Sequence, residues 1–211
     1  MLISLLEYRV VPGFDAEVAG YLHHQVIAPA PEGMITCFLG RRLGKNGREH
    51  LAASVWRDEA AMERGTDSAG IPSYLAPKAS LLGDTTRSRY RVVASTGVGS
   101  EGARVLRLYR TSIAAGSMAI WERRALVPVD QLVATEGLLT AVAGLGIDGE
   151  SASEAGQVPV IVLTAWSEWD LLLGATGGRL NDPLRGTELE DLEIPAIADH
   201  FELVATEPKS G

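Results

Sequence analysis

Apolar and polar positions alternate and cluster in an order that recurs along the chain. "LISLLEYRVV", Leu2 to Val11, is rich in apolar and β-forming residues and stops at Pro12-Gly13, a turn signal that predicts a first strand. Phe14, Val18, Tyr21, Leu22 and Val26 then keep the spacing of one apolar helix face until Pro29 and Pro31 end it. "MITCFLGRRL" and "HLAASVW" read as two strands, and Asn46-Gly47 between them is a hairpin signal. Directly after Trp56 the pattern turns charged and helical, with Asp58 placed to accept hydrogen bonds from the exposed amides of a short second helix. "SRYRVVAS" closes the series as a fourth strand, so the order is strand, helix, strand, strand, helix, strand.

The same series follows a second time. "EYRVVPG" is echoed by "LYRTSIAAG", "PEGMIT" by "TEGLLT", "SVWRDEAAM" by "TAWSEWDLL", and, more weakly, "RYRVVAS" by "HFELVAT". In the second helix of the later copy, Ser167 takes the capping place, with Asp170 three residues on in capping-box spacing. The Gly/Ser-rich stretch "STGVGSEGA" has linker composition. These boundaries predict a first unit at 1–96, a linker at 97–103 and a second unit at 104–211. Each unit has the ferredoxin-like βαββαβ order, an α+β fold with an antiparallel sheet and helices on one face.

Composition narrows the function classes. A net charge of −8 argues against nucleic-acid and anionic-membrane partners, because phosphate recognition needs a basic surface. No apolar run approaches a membrane span and Met1 starts no signal pattern, which predicts a cytoplasmic protein. The single cysteine, Cys37, rules out an intramolecular disulfide and a thiolate cluster, and within "MITCFLG" it reads as a small buried hydrophobe. The sequence has no G-x-S-x-G elbow, P-loop or H-E-x-x-H, and "GVGSEG", Gly97 to Gly102, lacks the strand-to-helix context of a dinucleotide fingerprint and reads as linker.

With a short first strand ending in a turn, "EG" opening strand two, and "VW" followed by a polar helix start, each half resembles the antibiotic biosynthesis monooxygenase family of dimeric α/β-barrels. In that family two chains pair their sheets into a barrel. The resemblance therefore implies an intrachain barrel of two tandem units, in a monomer or a homodimer, with a pocket between each sheet and its helices. It also implies an oxygenase acting on a polycyclic aromatic or quinonoid metabolite, as in polyketide tailoring. Such an enzyme works with no bound cofactor and no metal, or with reduced flavin supplied by a partner reductase. The alternatives are a non-catalytic ligand-binding barrel, a polyketide cyclase and an atypical haem-binding or haem-degrading protein. The haem-degrading branch uses a strand-one asparagine, a tryptophan in the second helix and a histidine iron ligand further along. Tyr8 and Tyr109 stand at the first of these positions, Gly65 and Ala175 at the second, and Leu75 and Arg185 at the third, so none carries over.

Several residues carry candidate chemistry. Trp56 and Trp166 recur at the joint between strand and helix, where a large ring fills the wedge and can also wall a pocket for a flat ligand. Alternation places Ser4, Leu6 and Tyr8 on one face, and Val105, Arg107 and Tyr109 on its counterpart. If that face meets the helices, Arg107 is a buried cation that needs an anion or many acceptors. Glu122 or Glu136 can pair with it as a salt bridge; otherwise it clamps an enolate, phenolate or carboxylate. Tyr8 and Tyr109 can donate to a quinone or phenol oxygen, and Trp121 adds an aromatic wall. His23 and His24, on the first helix, are candidate bases whose charge changes near working pH, or solvated flank residues. His50 and His200 begin strands and read as surface positions. The halves diverge, with Leu6 against Arg107 and "YLHHQ" against "WERRA", which predicts that at most one is catalytic.

Overall fold

The structure is a computed structural model, and it describes residues 1–25, 31–44, 49–97, 99, 101–132, 134–147, 156–181 and 197–205. Its elements are β1 (Leu2–Val10), α1 (Asp15–Gln25), β2 (Met34–Arg42), β3 (Glu49–Trp56), α2 (Glu59–Arg64), β4 (Leu82–Thr96), β5 (Val105–Ala114), α3 (Met118–Leu132), β6 (Leu138–Gly146), β7 (Gln157–Trp166), α4 (Trp169–Thr176) and β8 (Ile197–Ala205). A 3-10 segment, Ala76–Leu81, precedes β4. The predicted α+β order is present in both halves. The Asn46-Gly47 turn lies outside the described residues, but the strands it would join, β2 and β3, pair antiparallel. No helix among the described residues is long and apolar enough to cross a membrane.

Two compact units make up the chain, Met1–Ser88 with Phe201–Gly211, and Arg89–His200. In the first, the strand order is β4-β1-β3-β2-β8, and in the second β8-β5-β7-β6-β4, so each unit holds the 4-1-3-2 order of a ferredoxin-like sheet and one further strand. Residues 82–88 of β4 belong to the first unit and 89–96 to the second, while β8 passes between them at His200 and Phe201.

The Glu-Gly motif has the same physical cause in each unit. Gly33 and Gly137 adopt φ of 84° and 78°, a left-handed conformation that favours glycine. A Cβ on Gly33 would stand 2.5 Å from Ala61 Cβ, and one on Gly137 2.3 Å from Leu171 Cδ1, so each glycine also lets the following helix approach. Their carbonyls accept from Arg57 N and Ser167 N, both at 2.9 Å, which fixes the chain at the start of α2 and α4. Immediately after each glycine the strand carries a register shift, between Met34 and Thr36 in β2 and between Leu138 and Thr140 in β6.

Trp56 and Trp166 are fully buried, and both close the strand-helix wedge as predicted. Trp56 packs with Leu2, Ala61 and Met62, and Trp166 with Val105, Ala141 and Leu172. Each indole N–H donates to a hydroxyl two residues back on the same strand, Ser54 Oγ at 2.8 Å and Thr164 Oγ1 at 2.9 Å, so neither ring buries an unsatisfied donor. Asp58 caps α2 as expected, its carboxylate accepting from Ala61 N at 2.8 Å. The cap of α4 differs from the expectation: Glu168, not Ser167, is the N-cap, at the place Asp58 takes in the first unit two residues after the tryptophan, and it makes no side-chain cap bond.

Candidate functional site

The helix-facing side of the first unit carries an apolar cluster among its described residues. Leu6, Tyr8 and Val10 of β1 pack with Val18 of α1, Cys37 and Leu39 of β2, Ala52 of β3 and the fully buried Leu75. Tyr8 stacks on His50, its cross-strand partner, with ring centroids 5.4 Å apart and planes at 16°. Tyr74 reaches from the segment after α2 to within 3.1 Å of Cys37 Sγ. Burial pushes the Cys37 thiol up to about 12, against a smaller lowering by the Tyr74 hydrogen bond. Tyr8 and Tyr74 are both raised by burial and by proximity to Cys37, so all three groups are neutral at working pH.

His50 is buried rather than at the surface. Alternation carries it inward: on β3, His50, Ala52, Ser54 and Trp56 share one face, and Trp56 is the plug. The positions that would serve haem also fail to fit in this unit. Trp56's ring edge occupies the space beside Gly65, and Leu75 is core. Arg185 lies outside the described residues, as do the side chains of His23 and His24, whose backbone belongs to α1.

On the second unit's helix-facing side, two apolar clusters are separated along the strands by polar residues. One is built around Trp166 and α4, the other around Trp121 and Ala125 of α3 with Ile113, Ala143 and Val160. Between Val105 and Ile113 on the same face of β5 lie Arg107, Tyr109 and Thr111, all buried. Arg107 is only 1% exposed. Its Nε and Nη2 donate to Leu180 O at 3.4 and 3.3 Å, and its Cζ lies 5.0 Å from the centroid of the Tyr109 ring. The cation thus rests on an aromatic face in a desolvated setting, where such contacts are strongest. Glu122 is engaged elsewhere, with its Oε1 accepting from Arg91 Nη2 at 2.5 Å on the exposed side.

His200, expected at the surface, is 9% exposed. Its imidazole meets the Trp169 ring edge-on at 5.5 Å and 83°. Its Nε2 has no hydrogen-bond partner among the described residues, and neither has the buried indole N–H of Trp121. Burial and then the Arg107 charge lower the His200 pKa to about 4, with Asp199 opposing them. Asp199 itself pairs with Arg110. A neutral imidazole, a buried guanidinium and two aromatic rings therefore occur together in this unit. That set can hold a planar anion: the guanidinium supplies charge, the rings supply faces, and the imidazole keeps a lone pair or N–H to spare.

Arg107 and Tyr109 were legible from strand alternation. His200 reads in the sequence as a surface residue opening a strand, whereas the structure buries it as the fourth residue of β8.

No protein-family model matches the sequence, and no curated protein does. Solved structures do match over nearly the whole chain. A candidate monooxygenase of Fusobacterium nucleatum superposes with a TM-score of 0.72 at 11% identity, covering 100% of this chain and 95% of its own. An anthrone oxidase-like protein gives 0.63 at 11%, covering 99% and 94%. A ferredoxin-fold protein of Listeria monocytogenes, related to antibiotic biosynthesis monooxygenases, gives 0.53 at 8%, covering 96% and 94%. With both ferredoxin-like units matched, the chain has the fold of the antibiotic biosynthesis monooxygenase-like proteins.

Proposed function

We propose that the chain is an oxygenase for an acidic polycyclic aromatic of the anthrone or hydroquinone type, with the chemistry in the second unit. The observation that carries this reading is Arg107, a guanidinium buried to 1% exposure against Tyr109 on the helix-facing side of β5. A buried cation stabilises an anion that forms in place far more than water would, and an anthrone becomes oxidisable by dioxygen once it is ionised. The protein's tasks are then to hold the ring, accept a proton and stabilise the enolate. The balance needs no other reductant: a ring CH2 becomes C=O, dioxygen supplies that oxygen, and the two hydrogens leave with the second oxygen as water. If reduced flavin is the donor instead, it gives two electrons, one oxygen atom enters the substrate and the other leaves as water. Its anionic ring would use the same cation, and a reductase partner would supply it. The name of the anthrone oxidase-like relative supports the first route.

The first unit serves as scaffold in this reading, since Tyr74, Leu75 and the Tyr8–His50 stack occupy its helix-facing interior. A second reading, a binding protein without turnover, draws support from His200, whose pKa near 4 makes it a weak base in the empty protein.

Oxygen uptake with an anthrone, without flavin and then with reduced flavin and a reductase, tests the proposal. Turnover is expected in one arm, with kcat/KM falling by about 100-fold or more in Arg107→Leu, the usual scale for removing a group that stabilises a developing oxyanion. Binding without uptake in either arm would leave the second reading. Equal turnover by Arg107→Leu would overturn the assignment of the site.

A further inference from the structure

The stretch between α2 and β4 lays Tyr74 and Leu75 against the helix-facing side of the first unit's sheet. Leu75 is fully buried, while Tyr74 is half-buried, with its hydroxyl 3.1 Å from the buried Cys37 Sγ of β2. The phenol is thus held as a small ligand would be. Its ring packs on an apolar cluster that includes Leu6, Val18 and Leu39, its oxygen meets a sulfur, and part of the side chain stays open to solvent. The stretch also carries its own backbone bonding. Asp67 N donates to Ile71 O and Gly70 N to Asp67 O, while the Asp67 carboxylate accepts from Ala69 N and Ile71 N. Ser73 N returns to Gly65 O, and Leu75 N and Ala76 N both donate to Pro72 O. Its ties to β2 and α1 are made by side chains: Tyr74 to Cys37, and Lys78 to Glu17 at 2.7 Å and over the Tyr21 ring at 5.3 Å. A loop bonded in this way can lift from the sheet as a unit, giving up side-chain contacts and no ladder of backbone bonds.

We propose that the first unit holds a binding site for a para-substituted phenol, with Cys37 Sγ as the partner of its oxygen, and that Tyr74 closes the site by occupying it in place of the ligand. The space required is that of the tyrosine side chain, which is p-cresol joined to the backbone. When a free phenol takes this place, residues 66–78 move outward and Lys78 leaves Glu17 and Tyr21. The thiol stays protonated, because an apolar site disfavours the thiolate, so one phenol is exchanged for another with no covalent change. Tyr74 is tethered beside the site and competes with any free ligand, so the affinity of the wild type is reduced by the fraction of time the site stands open. The proposal is independent of the chemistry assigned to Arg107, which belongs to the other unit.

The test titrates the full chain, wild type and Tyr74→Ala, with p-cresol and with toluene, and reads affinity by calorimetry. p-Cresol is expected to bind Tyr74→Ala at least about tenfold tighter than wild type, because the site no longer has to be vacated. It is expected to bind that variant several-fold tighter than toluene does, through the hydrogen bond of its oxygen. Trypsin gives a second reading on the wild type. Saturating p-cresol is expected to speed cleavage after Lys78, whereas a ligand that only stabilises the closed fold slows cleavage. This second reading decides the matter if Tyr74→Ala does not fold. The proposal is overturned by equal p-cresol affinity in wild type and folded Tyr74→Ala, by equal affinity of the variant for toluene, or by unchanged or slower cleavage after Lys78. Oxygen uptake and its dependence on Arg107 are untouched by each of these outcomes, so the two readings fail separately.

Discussion

The ring edge of Trp56 lies directly over the α-carbon of Gly65: a Cβ at that position would stand 2.2 Å from Trp56 Cη2 and 2.5 Å from Cζ3. Gly65 is the C-cap of α2 at φ −87°, so the backbone itself would accept any residue, and space alone requires glycine there. Gly65→Ala is therefore expected to destabilise the protein by about 1–3 kcal/mol through overpacking. Gly174 in α4 has open space around its missing Cβ, and Gly174→Ala is expected to stabilise by about 0.4–1 kcal/mol. Urea unfolding of the two variants reads both signs, and a neutral Gly65→Ala would mean that Trp56 is not the fixed plug described here.

Acid stability should carry the signature of His200. Its folded pKa of about 4 lies below the ordinary 6.5, so between those values the unfolded chain binds the proton and the folded chain does not. Stability from this group is complete above about 6.5 and falls as the pH drops toward 4. Carboxylates with lowered pKa, such as Glu49 beside Arg42 and Arg9, lose their contribution only at more acid pH. The difference in urea midpoint between pH 7 and pH 5 is expected to shrink in His200→Gln. An unchanged difference would place the imidazole in water.

Removing the Arg107 charge should be felt at His200 as well. Arg107→Met is expected to raise the His200 pKa from about 4 without restoring 6.5, because burial is the larger cause and remains. Histidine NMR of the variant measures this directly. No change would mean that the two side chains do not sense each other.

Cys37 should behave as an inert thiol. It is buried, bonded to Tyr74 and raised to about 12, so almost no thiolate exists at neutral pH. Labelling by a disulfide reagent is expected to be slow in the native protein and rapid in denaturant. Fast native labelling would contradict the closed interior of the first unit.

Strand-helix order, the Glu-Gly starts and the two plugging tryptophans were all readable in the sequence, because each follows from a local rule: alternation, a positive φ, a large ring at a joint. Arg107 was readable for the same reason, as an odd residue on an otherwise apolar face. The fillers of the first unit were not. Tyr74 and Leu75 lie in a stretch between α2 and β4 with no periodic pattern, and only the folded chain brings them over Cys37 and Leu6. The burial of His200 was not readable, because the Trp169 ring it packs against is distant in sequence. The cap of α4 falls on Glu168 because the second half follows the register of the first, in which the residue two after the tryptophan, Asp58, opens the helix.

Because the first unit includes Phe201 to Ala205, where β8 pairs with Leu39 to Arg42 of β2, the N-terminal half of the sequence is not a self-sufficient piece. A fragment cut at the Gly/Ser stretch would leave that side of β2 without its neighbour, with a row of amide and carbonyl groups facing solvent. Such an edge recruits whatever strand it meets. The fragment should self-associate or misfold, and a synthetic peptide of the 197–205 sequence should restore its solubility.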